Sequence, residues 1–159
     1  MKCLIMILSL MIPQIAAARL GETVEQCDKR YGDVVADQKI KGLDSKAYVN
    51  GAYFMMASFI DGKCCMLVIQ TPDEKSLTIN IAWDIVNNNI REAKYLGTKA
   101  AGSAWVTESD TAMAMLEDGK RGPRGEPVTR LTLFTYAYVK ANEGKGGLSM
   151  QKKIDALGF

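Results

Sequence analysis

The feature that most constrains the fold is a pair of apolar segments joined by a two-residue turn. Residues Tyr53–Ile60 and Lys63–Gln70 are rich in apolar, aromatic and β-branched side chains, and Asp61-Gly62 lies between them. An Asp-Gly pair favours the type I′ turn, whose twist matches that of the strands it joins. Because both faces of this hairpin are apolar, we expect it in the middle of an antiparallel sheet with cover on both sides.

The two-residue turn also predicts the register of the hairpin. It pairs Ile60 with Lys63, and a regular ladder then pairs Ser58 with Cys65. Several methionines lie in these strands, and methionine adapts to irregular partners, so one face is alternatively a groove for a partner or a lipid. We prefer the interpretation in which both faces are core.

Helix signals lie on both sides of the hairpin. Thr23 and Gln26 have the spacing of a capping box, and Gly32 ends a segment whose apolar residues recur at helical intervals. This first helix is too short to be stable alone and must dock on the sheet. A second capping-box spacing begins at Thr71 and predicts a helix over Pro72–Val86.

The rest of the chain divides into strands and connectors. Strands are expected at Gln38–Lys41 (an edge strand), Ser103–Glu108, Ala112–Leu116 and Val128–Lys140. Connectors are expected at Ile90–Gly102 and Glu117–Pro127. The order of elements predicts an α+β fold, an antiparallel sheet with helices packed mainly on one face. A helix followed by strands occurs twice, which suggests a weak internal repeat.

The first 18 residues have the organisation of a secretory signal peptide. Lys2 precedes an apolar or small run over Cys3–Pro13, and Ala16-Ala17-Ala18 forms a small-residue cleavage site. The apolar run is too short to cross a bilayer as a helix. We therefore expect a cleaved signal at 1–18, a single domain at 19–159 with no transmembrane segment, and a periplasmic or secreted location. No cysteine follows the alanines, so no lipid anchor is expected.

Composition removes several classes of function. The chain has no histidine, the side chain whose ordinary pKa lies nearest neutrality and the usual general base. Ser-His-Asp and Cys-His nucleophile activation are therefore impossible. With 20 Lys and Arg against 18 Asp and Glu, the chain lacks the field that attracts nucleic acid. We expect no metal, no cofactor and no catalytic residue of a recognisable type.

Three cysteines remain once Cys3 is removed with the signal peptide. An exported protein folds in an oxidising compartment, so Cys27 has the opportunity to bridge Cys64 or Cys65. Either bond would contribute about 3–4 kcal/mol in the chain-entropy model. One alternative is that Cys27 lies on the buried stripe of the first helix and one of Cys64/Cys65 packs as a small apolar strand residue. The other is that the vicinal pair has a redox or metal role. Adjacent strand residues point to opposite faces, which disfavours joint chelation.

The N-terminal part of the mature chain resembles a known group of proteins. The pattern Leu20-Gly21-Glu22-Thr23, Glu25-Gln26-Cys27 and Arg30-Tyr31-Gly32 is similar to the start of small exported bacterial proteins of unknown function. A more distant similarity is to the SmpA/OmlA lipoproteins and the β-lactamase-inhibitor-like fold, where a Gly-x-Thr helix start and a helix-ending Gly precede antiparallel strands. The resemblance implies an exported α+β domain, and it brings no active site.

Two surfaces are candidates for binding a protein, a peptide or an envelope component. Phe134, Tyr136 and Tyr138 fall on one face of the predicted last strand and would form a recognition row if exposed. Lys120, Arg121 and Arg124 form a local cation cluster that suits phosphate or carboxylate.

We therefore expect a non-enzymatic exported binding or envelope-associated module. The alternative is an enzyme or redox protein that uses a thiol or a carboxylate, with Cys64/Cys65 as the first candidates.

Overall fold

The computed structural model describes residues 19–71, 77–99, 102–107, 111–121 and 127–143, together with Lys152 and Asp155. Three helices and eight strands lie within these ranges. In chain order they are α1 Val24–Tyr31, β1 Val34–Ile40, β2 Leu43–Asn50, β3 Tyr53–Ile60, β4 Lys63–Thr71, α2 Ile79–Asn89, β5 Ala93–Lys99, β6 Gly102–Thr107, β7 Ala112–Arg121, β8 Pro127–Thr135 and α3 Tyr136–Glu143.

The eight strands form one antiparallel sheet in the order β1-β2-β3-β4-β8-β7-β6-β5. When β1 to β4 are exchanged with β5 to β8, each strand with the one four places later, the result is the same order read from the opposite edge. Helix α1 precedes the first four strands and α2 precedes the second four. The chain is therefore built from two helix-plus-four-strand units that join where β4 pairs with β8, as the expected internal repeat requires.

The Asp-Gly hairpin is confirmed, and its register differs from the prediction in one respect. Ile60 pairs with Lys63 and Phe59 with Cys64, but Ser58 pairs with Met66 rather than Cys65. Cys65 is the extra residue of a β-bulge, so every β3–β4 pair beyond it is displaced by one residue. A bulge places two neighbouring side chains toward one face, which is why Cys65 and Met66 pack in the same core cluster.

Helix α1 begins and ends as predicted. The Thr23 hydroxyl accepts from Gln26 N and the Gln26 side chain accepts from Thr23 N, which completes the capping box. Gly32 ends the helix at φ 84°, and its N–H donates to the Asp28 carbonyl. Cys27 and Tyr31 form the buried stripe of this helix.

The predicted start of the second helix is wrong. Thr71 is the last residue of β4 and is fully buried, so it does not cap a helix. The N-cap is Thr78, whose hydroxyl accepts from Ile81 N, and the helix runs from Ile79 to Asn89. Residues 72–76 of the predicted helix lie outside the described residues.

Strands β2 and β5 were missed, and the edge strand predicted at Gln38–Lys41 is longer than expected and begins at Val34. Val34–Ile40 and Leu43–Asn50 form a hairpin where a single short strand was predicted, and Ala93–Lys99 is a strand within the predicted connector. In β1 and β5 no residue is fully buried. A strand whose two faces are both largely exposed carries no alternation of apolar and polar residues to read.

The two ends of the β7–β8 hairpin also differ from the prediction. Strand β7 continues through Glu117 to Arg121, where a loop was expected, and Lys120 pairs with Val128. Strand β8 ends at Thr135 rather than at Lys140. There the Thr135 hydroxyl accepts from Tyr138 N and begins helix α3.

Two core clusters lie on opposite faces of the sheet. Within β4, Leu67 and Ile69 belong to the first cluster and Val68 to the second, as the two-residue period of a strand requires. Helices α1 and α2 pack into the first cluster, whereas Val139 of α3 packs into the second. The fold is thus a large antiparallel sheet with two helices on one face and α3 on the other.

Candidate functional site

The cation cluster is divided by the end of β7. Lys120 lies in this strand and its Nζ is 2.8 Å from the Glu117 carboxylate. Arg121 is the last residue of the strand and pairs with Pro127, whereas Arg124 lies outside the described residues. An acidic neighbour therefore offsets part of the charge on which this candidate surface depends.

The aromatic row is not a strand face. Phe134 is buried in β8, whereas Tyr136 and Tyr138 lie in α3. The Phe134 and Tyr138 rings pack with centroids 6.1 Å apart, and burial raises the pKa of the Tyr138 phenol. Of the three, Tyr136 is the most exposed, at 48%. The three residues thus do not form one recognition surface.

All three described cysteines are buried and are free thiols in this structure. The pKa of Cys64 is raised far above its ordinary range, first by the neighbouring Cys27 side chain and second by burial. Burial raises the pKa of Cys65 to about 11. Because the nucleophile is the thiolate, neither member of the vicinal pair is an activated thiol near neutral pH.

A polar network holds α1 against β2. Asp28 accepts from Lys46 Nζ at 2.7 Å and from the Tyr48 hydroxyl at 2.8 Å. Partial burial acts to raise the pKa of Asp28, but these two hydrogen bonds outweigh it and hold the pKa below its ordinary value. Glu22 receives two hydrogen bonds from Arg30. Every member of this network has a partner, so its role is to position the helix.

An aromatic cleft lies between α2 and the β5–β6 edge of the sheet. Its lining residues come from the first two turns of α2 and from two paired strands: Ile79, Asn80, Trp83, Tyr95 and Trp105. The cavity has a volume of about 240 Å³. Sequence reasoning named none of these residues as a site. Below, "aromatic cleft" denotes these five residues.

The three rings of the aromatic cleft pack against one another. The centroids of Tyr95 and Trp105 are 5.4 Å apart, and Trp83 lies 6.1 Å from Tyr95 and 6.2 Å from Trp105. Trp105 is fully buried, whereas Trp83 and Tyr95 are 36% and 39% exposed. Two half-exposed rings thus form the walls above a buried indole, an arrangement that leaves aromatic surface open to a ligand.

The polar groups around the aromatic cleft are few and uncharged. The Tyr95 hydroxyl is 2.5 Å from Thr98 Oγ1, which is 2.7 Å from Ser103 Oγ. The buried indole N–H of Trp105 has no hydrogen-bond partner among the residues the structure describes. Among the residues that the structure describes, no charged side chain lines the cavity. The cleft therefore favours a neutral, apolar group.

The corresponding position of the first unit is built differently. Asp28 and Trp83 each lie five residues after the threonine N-cap of their helix, Thr23 and Thr78 respectively. Asp28 reaches across to Tyr48 of β2, and Trp83 reaches across to Trp105 of β6. The same place in the repeat therefore holds a closed polar contact in one unit and an open aromatic cleft in the other.

The described residues show neither a metal site nor a membrane span. No group of three or more Cys, Asp or Glu side chains in these ranges is placed to hold a metal ion. None of the helices in the same ranges combines the length and the apolarity needed to cross a bilayer.

Comparison with known proteins leaves the family open. No family model matches the chain, and no curated protein matches it. One similar solved structure is that of a cysteine-rich secretory protein from Staphylococcus aureus, with 8% sequence identity and a TM-score of 0.43. The match covers 76% of this chain and 46% of that one, so the chain spans less than half the length of that protein.

Proposed function

We propose that the protein is an exported binding module that holds an extended peptide segment of a partner protein along strand β5. One apolar side chain of that peptide occupies the aromatic cleft. The observation that carries the proposal is the position of the cleft, which opens beside a strand at the edge of the sheet. The exported location rests on the signal peptide and on the similarity of the N-terminal pattern to small exported bacterial proteins.

The size of the aromatic cleft favours a single side chain as its occupant. Pockets for drug-sized ligands have volumes of roughly 300–1,000 Å³, and this cavity is smaller, at about 240 Å³. Its walls are aromatic, and aromatic rings gain about 0.5–1.5 kcal/mol per pair beyond the area they bury. A Phe, Tyr, Leu or Pro side chain of the bound peptide therefore suits the cleft.

Strand β5 provides the backbone to which such a peptide can bind. Within the described ranges its strand partner is β6, and it is the last strand in the sheet order, so a further strand can add at its outer edge. A peptide that adds to a sheet edge takes its affinity from main-chain hydrogen bonds, and a pocket for a side chain supplies the specificity. Tyr95 belongs both to β5 and to the cleft, so one peptide can use both.

The charge of β5 indicates what flanks the anchoring side chain. Lys94 lies next to Tyr95 on this strand and is exposed. Lysines on an edge strand also prevent uncontrolled pairing of sheets. A peptide with acidic residues beside its apolar anchor is the partner that Lys94 tolerates best.

The thiol and carboxylate enzyme alternative has less support. Both vicinal thiols are buried with raised pKa values, and Glu117 is bound in an ion pair with Lys120. The aromatic cleft, by contrast, presents two rings, Trp83 and Tyr95, that are exposed in the part of the chain that the structure describes. A binding function accounts for the exposure of these rings, whereas an enzyme that uses a buried thiol does not.

Intrinsic fluorescence tests the proposal, because the chain has two tryptophans and both line the aromatic cleft. Peptides selected from a displayed library of random dodecapeptides against the mature protein are titrated into it. We expect a blue shift of the emission and reduced quenching by acrylamide, since an occupant covers Trp83. Selected peptides should share an apolar residue flanked by acidic ones.

Two variants make this test specific. Tyr95→Ala removes a wall of the cleft and should weaken binding at least tenfold. Val35→Ala, on the exposed opposite edge strand β1, should leave binding unchanged. Selected peptides that bind without changing the fluorescence, or equally well to Tyr95→Ala, would refute the proposed site.

A further inference from the structure

We infer that Cys27 and Cys64 are joined by a disulfide bond in the exported protein, while Cys65 remains a thiol. The sequence leaves both partners of Cys27 open, and the structure distinguishes them. This inference concerns α1 and the centre of the sheet, and it is independent of the aromatic cleft.

The two cysteine side chains meet in the first core cluster. Cys27 is 0% exposed and Cys64 is 1% exposed, and both belong to the cluster that α1 covers. The Cys64 thiol donates to the Met66 carbonyl at 3.5 Å, and the Cys27 side chain lies near enough to raise the pKa of Cys64. A covalent bond to Cys27 would replace that hydrogen bond and would join two neighbours within one core cluster.

The backbone around the pair is held in place from both sides. Cys64 N donates to the Glu22 carbonyl at 2.8 Å, and Gly21 N donates to the Cys64 carbonyl at 2.7 Å. Thr23 forms a bridge with Lys63, and one helical turn later Cys27 N donates to the Thr23 carbonyl. The residues that lead into α1 thus lie beside the strand that carries Cys64, and the helix places Cys27 above it.

Cys65 is directed away from Cys27. The bulge between β3 and β4 turns it into the second core cluster, on the other face of the sheet. Its thiol donates to the Ser58 carbonyl at 3.2 Å. A bond between Cys27 and Cys65 would require the strand to be rebuilt.

The chemistry is a two-electron oxidation by thiol–disulfide exchange. One thiolate attacks the disulfide of an oxidant in the oxidising compartment that receives the exported protein, forms a mixed disulfide and releases one thiol of the oxidant. The second cysteine then attacks that mixed disulfide, the protein S–S bond forms, and the second thiol of the oxidant leaves. Two protein thiols are oxidised and one oxidant disulfide is reduced to two thiols. Since both thiols are buried once folded, the exchange takes place before α1 docks.

The test is a mass-spectrometric map of the mature protein recovered after export and alkylated while denatured, without reductant. We expect one alkylated cysteine, Cys65, and a cross-link between the peptide containing Cys27 and the peptide that follows Lys63. Trypsin leaves Cys64 and Cys65 on the same peptide, so fragmentation spectra must assign the bond. Reduction should lower the melting temperature by roughly 10 °C.

Two variants separate the possible partners. In Cys65→Ser the cross-link should persist, and in Cys64→Ser it should be absent. Mapping of the unsubstituted protein decides the question even where a variant does not fold. Three alkylated cysteines in the exported protein, or a bond assigned to Cys65, would overturn the inference.

Discussion

Replacing Trp83 with alanine tests whether the aromatic cleft is packed as described. Trp83 is 36% exposed, so about two-thirds of a side chain that buries on the order of 200 Å² is covered, which corresponds to roughly 3 kcal/mol at 25 cal/mol/Å². Alanine is the better helix former and returns about 0.5 kcal/mol. We therefore expect Trp83→Ala to reduce the free energy of unfolding by about 2.5 kcal/mol.

The measurement is urea unfolding followed by far-ultraviolet circular dichroism, which does not depend on the tryptophan that is removed. Trp83→Phe keeps a ring beside Tyr95 and Trp105 and should cost less than about 1.5 kcal/mol. Asp84→Ala, at an exposed neighbouring position of α2, is the matched control and should change stability by less than about 0.5 kcal/mol.

Fluorescence of the same variant gives a second readout. In Trp83→Ala the only remaining tryptophan is Trp105, which is fully buried in the native protein. Removing its neighbour brings solvent closer, so its emission should shift to the red of that of Trp83→Phe. A loss of less than about 1 kcal/mol together with unchanged Trp105 emission would refute the packing of the cleft.

Three further predictions concern the scaffold. Leu133→Ala in the fully buried centre of the sheet should cost about 2–5 kcal/mol in a urea unfolding curve. Gly102 has a φ of 129°, and an alanine there places its Cβ 2.1 Å from the Leu116 carbonyl oxygen. The melting temperature of Gly102→Ala should therefore be well below that of Gly51→Ala, where the added methyl meets nothing within 4 Å. The pKa of Asp28 is lowered in the native state, so its ionised form stabilises the protein above about pH 4, and this stabilisation is lost as the pH falls through the native pKa. Asp28→Asn should therefore reduce the loss of unfolding free energy at acid pH. The change should be less than about 1 kcal/mol because the carboxylate is partly solvated.

The elements with strong local signals could be predicted from the sequence. The Asp61-Gly62 turn defined the central hairpin, and Thr23 with Gln26 defined the start of α1. The bulge at Cys65 could not be foreseen, because the apolar residues on both sides of it allow either register. The true cap of α2, Thr78, competed with a better capping-box spacing at Thr71, which the sheet uses as a strand residue instead.

The candidate site depended on the elements that were hardest to predict. Trp83 and Trp105 were both placed in helix or strand, but Tyr95 was assigned to a connector, so nothing brought the three rings together. Similarly, Tyr136 and Tyr138 alternate with small residues as a strand would, and only the Thr135 cap turns them into a helix. An edge strand and a helix cap thus decided which aromatic residues share a surface.

Amide hydrogen exchange tests the central claim most directly. The mature protein is compared with and without a library-selected peptide that contains one apolar residue between acidic ones. We expect slower exchange across Ala93–Lys99, where a peptide strand would pair, and protection of the indole N–H of Trp83, with the opposite edge Val34–Ile40 unaffected. Protection confined to that opposite edge or to α3, with Ala93–Lys99 exchanging as before, would contradict it.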